Sequence, residues 1–196
     1  TGDEERSQGW TPLIVDTNGN GQRDDYVEPN EPLDPAKDMR IRSGYYGVAY
    51  NPIDGSIWGS SLGFPGAILR LDPGTEPATT ALTEIYETPW GNPEAPIQGY
   101  SPRGMDIDRN GVVWTPLASG HMASFDRSKC TGPLNGPGAT GGHCPEGWTL
   151  YPEPAPQIKN LTESGSAESS YYTWVDQFNT LGLGDNVPIN TSNGSE

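Results

Sequence analysis

Oxygen-bearing side chains recur at alternate positions in one short stretch, DTNGNGQRD, which places Asp16, Asn18, Asn20 and Asp24 around Gly21. Numbered as a calcium loop, those oxygens fall at positions 1, 3, 5 and 9, with the glycine at 6, which is how an EF-hand-type loop opens. The glycine permits the sharp turn, alternate oxygens converge on one hard cation, and Gln22 at position 7 offers its backbone carbonyl. Position 12 departs from the pattern. Val27 stands where a bidentate Glu is expected, and Glu28 follows one residue later as the candidate last ligand. The flanks are not helical: Trp10-Thr11-Pro12-Leu13-Ile14-Val15 reads as a short strand, and Glu28-Pro29-Asn30-Glu31-Pro32 follows the loop. The stretch is therefore closer to the compact calcium loops of secreted proteins than to a helix–loop–helix sensor. Two Asn in place of Asp lower the ligand charge and hence the affinity. The expected role is structural, with a calcium ion fixing the loop and orienting the N-terminal strand. A solvated, Asx-rich turn without metal is the competing reading.

The second pair of chemically distinctive residues is Cys130 and Cys144, which bracket the Gly/Pro-rich segment TGPLNGPGATGGH. Two cysteines at this spacing, in a secretory context, read as a disulfide closing a loop. A metal site using His143 and His121 is disfavoured, because zinc wants four ligands at recognisable spacing and there is no C-x-x-C. Free thiols are the remaining alternative. No C-x-x-C-H for haem occurs, and no P-loop, G-x-S-x-G or H-E-x-x-H. Neither haem nor a nucleotide is expected.

Composition narrows the function classes. The chain of 196 residues carries a net charge of −15, which argues against nucleic acid and against an anionic membrane face. Gly and Pro make up 46 of the 196 residues, about twice the usual share, so turns and short strands should dominate over helices. Six Trp and nine Tyr supply apolar bulk that a disordered tail lacks. No apolar run approaches the length of a transmembrane helix. A sequence beginning at Thr1, without Met or signal peptide, fits a processed extracellular or periplasmic protein and equally an expressed segment.

The elements that must position these residues come from a repeat. Gly104-Met105-Asp106-Ile107-Asp108 alternates apolar and polar, Arg109-Asn110-Gly111 is a tight turn, and Val112-Val113-Trp114-Thr115 returns. His121 to Asp126 is a third strand and Gly147 to Tyr151 a fourth. The same order occurs earlier, with strands over 47–52, 56–59, 67–74 and 82–87. Gly47, Gly55, Trp58 and Asp72 match Gly104, Gly111, Trp114 and Asp126 at offsets of 54 to 57 residues. Four strands per unit at this period describe a β-propeller blade.

This pattern, an apolar-x-apolar-Asp strand after Gly104, then Gly111 and Trp114, then a strand ending in Asp126, resembles the blade of streptogramin-lyase-like propellers and the related NHL and SMP-30-type repeats. The resemblance covers about 43–156. It implies an all-β incomplete β-propeller, with about two four-stranded antiparallel blades and few or no helices. The implied divisions are an N-terminal segment over 1–42, blades over 43–98 and 99–156, and a C-terminal segment over 157–196. The aromatic run Tyr171-Tyr172-Thr173-Trp174 would start a third blade or pack over the first two.

A propeller closes with four to eight blades, so two leave open edges and bare faces. The expected partners are other protein chains, or missing blades of the same protein; a compact sandwich of the two sheets is the alternative. Streptogramin lyases use a His/Glu cluster with a divalent metal, and no such cluster can be placed here. Arg103, Asp106 and His121 are the candidates for a channel-facing polar site, with structural roles favoured for them. Asp108 is expected to close its turn by hydrogen bonding. The leading expectation is a non-catalytic extracellular or periplasmic binding or scaffold module. The alternative is a segment of a lyase- or lactonase-type enzyme whose catalytic residues lie outside this chain. A sugar-binding module using Trp90, Tyr171, Tyr172 and Trp174 is a weaker third. Asn160, Asn190 and Asn193 each open a glycosylation sequon.

Overall fold

The computed structural model describes residues 2–4, 8–157, 159–160 and 165–191. The described residues form an all-β structure of thirteen strands in three sheets. Helix among the described residues is confined to one short turn, α1 (Pro77–Thr80), and 3-10 turns over Arg127–Lys129 and Pro145–Gly147.

Both repeats fold as antiparallel meanders. In the first, β4 (Val48–Tyr50), β5 (Ile57–Ser61), β6 (Ala67–Asp72) and β7 (Leu82–Glu87) pair in chain order. In the second, β8 (Asp106–Ile107), β9 (Val113–Leu117), β10 (His121–Phe125) and β11 (Trp148–Pro152) do the same. The Asn-Gly turn behaves as its residues demand. Gly111 adopts φ +83°, and Asp108 Oδ1 accepts the Asn110 and Val112 amides at 2.8 and 3.0 Å. A third sheet is the hairpin of β12 (Tyr172–Asp176) and β13 (Val187–Thr191).

The first sheet has seven strands where the repeat supplies four. β1 (Ile14–Val15), β2 (Tyr26–Val27) and β3 (Asp38–Arg40) extend it in the order β2-β3-β1-β7. β1 runs parallel to β7 through Val15 and Thr83, and antiparallel to β3. An outermost β7 would otherwise show a row of unpaired amides and carbonyls to solvent, and the N-terminal strands cover that edge.

Alternation along the strands builds one core between the first two sheets. Ala49, Trp58, Ile68 and Tyr86 come from the first sheet, and Ile107, Val113, Phe125 and Trp148 from the second. Trp58 stacks on Tyr86 at 5.9 Å between ring centres, and Phe125 reaches Tyr86 at 4.5 Å. Each such aromatic is worth several buried methylenes plus a ring–ring term of about 1 kcal/mol. Among the described residues the three sheets do not close into a barrel or ring. No described helix is long and apolar enough to cross a membrane.

Candidate functional site

The stretch between β1 and β2 folds tightly around Asp16, which is buried directly after the core strand Ile14–Val15. Its Oδ1 accepts the Gly19 amide at 2.6 Å and the Asn20 amide at 3.2 Å, and its Oδ2 accepts the Gly21 amide at 2.8 Å. Gly21 sits at φ +75°, as the sharp turn requires. Asn18 and Asn20 both donate to one oxygen of Asp24, at 2.8 and 2.6 Å. Those two bonds hold the Asp24 carboxyl below its ordinary range. The Asn18 and Asn20 carbonyl oxygens accept the Asn20 and Gln22 amides. Asp16, Asn18, Asn20 and Asp24 are thus gathered on one turn, with Gln22 in the same turn.

Glu28 is not part of that gathering. It lies beyond β2, half-exposed, with its carboxylate on Arg40 at 3.1 Å. A different acid stands beside the loop. Asp38 is fully buried at the start of β3, and its Oδ2 accepts the Asp24 amide at 2.8 Å. No three His, Cys, Asp or Glu among the described residues converge into a ready-made metal cage. An ion here would need the Asn oxygens and a backbone carbonyl as well, which is how calcium is held.

Cys130 and Cys144 form a disulfide, with their Cα atoms 5.1 Å apart. The loop they close reaches the first turn of the oxygen-rich stretch. Gly136 donates its amide to the Asp16 carbonyl at 2.7 Å, and Asn135 donates its side chain to Asp16 Oδ2 at 3.0 Å. His143, in the same loop, packs its ring on Tyr86 at 5.2 Å, with both ring nitrogens buried and without a hydrogen-bond partner. Burial lowers its pKa, against the charges of Glu84 and Glu146.

The three residues considered for a channel-facing site are not brought together by any contact between them. Arg103 lies over the Tyr171 ring at 5.4 Å. Asp106 accepts the Val175 amide at 2.9 Å and so fastens β12 to β8. His121 is fully buried, with Nδ1 3.0 Å from Ser119 Oγ, and burial lowers its pKa. The aromatic residues also divide. Trp90 joins Phe64 and Tyr100 in a partly exposed triangle of edge-on rings, while Tyr171 packs on Tyr46. Asn190 spends its side chain on Glu153 and Thr173, and Asn160 is exposed. Asn193 lies outside the described residues.

Two polar groupings escaped the sequence reading. Glu84 on β7 is a hub. It pairs with Arg70 at 3.1 Å, takes two hydrogen bonds from Arg127 at 2.6 and 2.7 Å, and accepts the Tyr86 hydroxyl. Burial opposes the Arg127 charge, but the Glu84 bonds and charge prevail and raise its pKa. The second grouping is a cavity of about 400 Å3 walled by Tyr151, Pro154 and Pro156, with the mostly buried Glu153 and Glu168 and Ser170 on its lining. Such a cleft has room for a small polar ligand. No local motif marks either grouping: Glu84 takes its partners from Arg70 and Arg127, far away in sequence, and the cleft forms where the segment over 151–156 meets Glu168 and Ser170.

Comparison with protein-family models, with curated proteins and with solved structures found no match to this chain.

Proposed function

We propose that the chain is a propeller-type binding and scaffold module working in an extracellular or periplasmic setting, with a structural calcium loop. Its radial repeat is completed by further sheets, from other chains or from further sequence of the same protein. The observation that carries this is one packing relation used twice. Gly47, at the head of β4, lies so close to the head of β8 that an added Cβ would stand 2.9 Å from the Met105 amide nitrogen. Gly104, the matching residue at the head of β8, meets β12 in turn, where an added Cβ would collide with the Tyr172 ring. The same step thus leads from β4 to β8 and from β8 to β12, as it does around a propeller axis.

A step repeated without closure leaves unlike surfaces at its two ends. Exposed apolar side chains include Val48, Tyr50 and Ile53 on and just after β4, and Trp174, Phe178, Leu181 and Leu183 on and after β12. Apolar patches of that kind favour burial against a partner. The disulfide fits an oxidising compartment. Native mass spectrometry of the chain, repeated under denaturing conditions, tests the reading. Assemblies larger than 21.1 kDa that fall to single chains on denaturation are expected. A monomer that neither associates at high concentration nor binds a hydrophobic dye would refute it.

A further inference from the structure

We propose that the outer edge of β11 is a docking site for an extended strand of a partner protein, one that carries an apolar side chain near one end and a lysine or arginine near the other. The strand would lie beside β11 as β1 lies beside β7, and would set its basic group into the cleft lined by Glu153 and Glu168. The proposal stands apart from the completion of the repeat by further sheets, and either can fail without the other.

The first observation is an edge closed in one repeat and open in the other. β7 and β11 are the matching last strands of the two meanders. β7 takes β1 along its outer side, whereas β11 ends its sheet, with no strand beyond it among the described residues. The register says which groups that edge offers. Asp126 donates its amide to the Gly147 carbonyl, and Glu153 donates its amide to the Gly120 carbonyl. Both pairs continue the β10–β11 register at its two ends, and both are of the hydrogen-bonded kind. Alternation then turns Thr149 and Tyr151 inward to the ladder and the backbone groups of Trp148, Leu150 and Pro152 outward. The Trp148 amide is taken by the Pro145 carbonyl, and Pro152 has no amide to give. The Leu150 N–H and the Trp148, Leu150 and Pro152 carbonyls remain, without a partner among the described residues. A row of such groups is what an added strand pairs with.

The second observation is the shape and charge beside that edge. Trp148, Thr149 and Leu150 in succession line a cleft of about 170 Å3 with Pro89, Pro96 and Ile97. Residues 151–156 in succession line the larger cleft of about 400 Å3. Side chains alternate across a strand, so a hollow that touches consecutive residues runs along the backbone edge and not over one face. The two hollows differ in chemistry. The first is walled by prolines and Ile97, whereas the second holds Glu153 and Glu168, each 8% exposed. Glu153 is met by neutral donors, Asn190 Nδ2 at 2.7 Å and Ser170 Oγ at 2.9 Å, and no cation pairs with it among the described residues. A carboxylate at that depth gains most from a charged donor. Tyr151, Pro154 and Pro156 supply apolar wall for the aliphatic stem of a lysine or arginine. The net charge of −15 draws a basic segment toward the chain in the first place.

The test is a fluorescence-anisotropy titration of the full chain, unaltered and as Glu153→Gln, against short labelled peptides of alternating valine and threonine with a lysine at one end or the other. Amide exchange read by NMR accompanies it. In the free chain the Leu150 amide should exchange about tenfold or more faster than that of Tyr151, and should slow when a lysine peptide is added. That peptide should bind about tenfold or more tightly than its glutamate counterpart. N-methylation of one alternate set of its amides should abolish binding, and of the other set should leave it. Glu153→Gln, whose amide still reaches Asn190 and Ser170, should melt with the unaltered chain and bind the lysine peptide about tenfold more weakly. A Leu150 amide already protected in the dilute free chain, failure of every lysine peptide to bind, or binding that survives methylation of both sets overturns the docking edge. Equal affinity for lysine and glutamate peptides, or an unchanged affinity in Glu153→Gln, overturns the basic partner. Leu150 protection that rises with protein concentration alone makes a second copy the occupant, and lysine amide binding as tightly as the peptide makes the site a small-cation cleft; either result overturns the proposal.

Discussion

Replacing Glu84 by Gln should be among the costliest single changes in this chain that leave its apolar packing untouched. The side chain is only 15% exposed and receives hydrogen bonds from Arg70, Arg127 and the Tyr86 hydroxyl. Arg70 has substitutes, since Asp54 and Asp72 lie 2.8 and 3.5 Å from its guanidinium. Arg127 pairs with no other carboxylate among the described residues, and the Tyr86 hydroxyl alone would remain beside it. Breaking a well-buried pair by removing one partner costs about 3–5 kcal/mol. Because Arg127 is 32% exposed, solvent recovers part of that, and about 2–3 kcal/mol is expected here. For a chain of this size that is a fall in Tm of about 5–10 °C. Urea unfolding followed by tryptophan fluorescence measures it, since Trp58 and Trp148 lie in the same core cluster as Tyr86. A double-mutant cycle with Arg127→Gln should show a coupling on the order of 1–2 kcal/mol. A loss below about 0.5 kcal/mol in Glu84→Gln, or a coupling near zero, would refute the claim that this carboxylate is the partner Arg127 depends on.

Reducing the disulfide, or replacing Cys130 and Cys144 together by Ser, should cost about 3 kcal/mol from the lost loop constraint, and chemical denaturation with and without reductant checks it. Burial lowers the pKa of both His121 and His143, so the folded state holds fewer protons than the unfolded one, whose histidines titrate near 6.5. Their contribution to stability is therefore complete above pH 6.5 and is lost as pH falls through the lowered values; His143→Phe, which keeps the ring on Tyr86, should flatten the urea-midpoint profile in that acidic window. Gly104→Ala should drive the Tyr172 ring off β8, lower stability by about 1–3 kcal/mol and hasten proteolysis between β12 and β13. Gly138→Ala, where nothing lies within 4 Å of the added carbon, should be neutral in the same assays.

Much of the strand order was legible because its signals are local. Alternation over Gly104 to Asp108 reports which side chains share a face, Asn110-Gly111 reports a turn, and Trp58 and Trp114 mark equivalent places in two meanders. Gly47 and Gly104 stood out as a matched pair, but the reason is not local: a Cβ on Gly47 would meet the backbone of Gly104 and Met105, and one on Gly104 would meet the Tyr172 ring. The aromatic run after Ser170 forms one strand of a two-stranded hairpin, whose partner strand at Val187–Thr191 carries no periodic signal of its own. The acids were the hardest to read. Glu28 follows the loop in sequence and turns to Arg40, whereas Asp38 lies fourteen residues beyond Asp24 and comes back to its amide.

Taken alone, the sequence determined the all-β class, the places of the eight meander strands, the turn around Gly21 and the pairing of the only two cysteines. Each follows from covalent preference or from a period of two, and a few neighbouring residues suffice to express it. Only the tertiary structure decided that β1 lies parallel to β7, that β3 sets Asp38 against the calcium-type loop, and that Glu84 joins Arg70 to Arg127. Those arrangements depend on which edge is left open once the meander has formed, and on which charges remain to be neutralised there. Alternation tells a strand which face to bury, but it does not name the strand that will lie beside it.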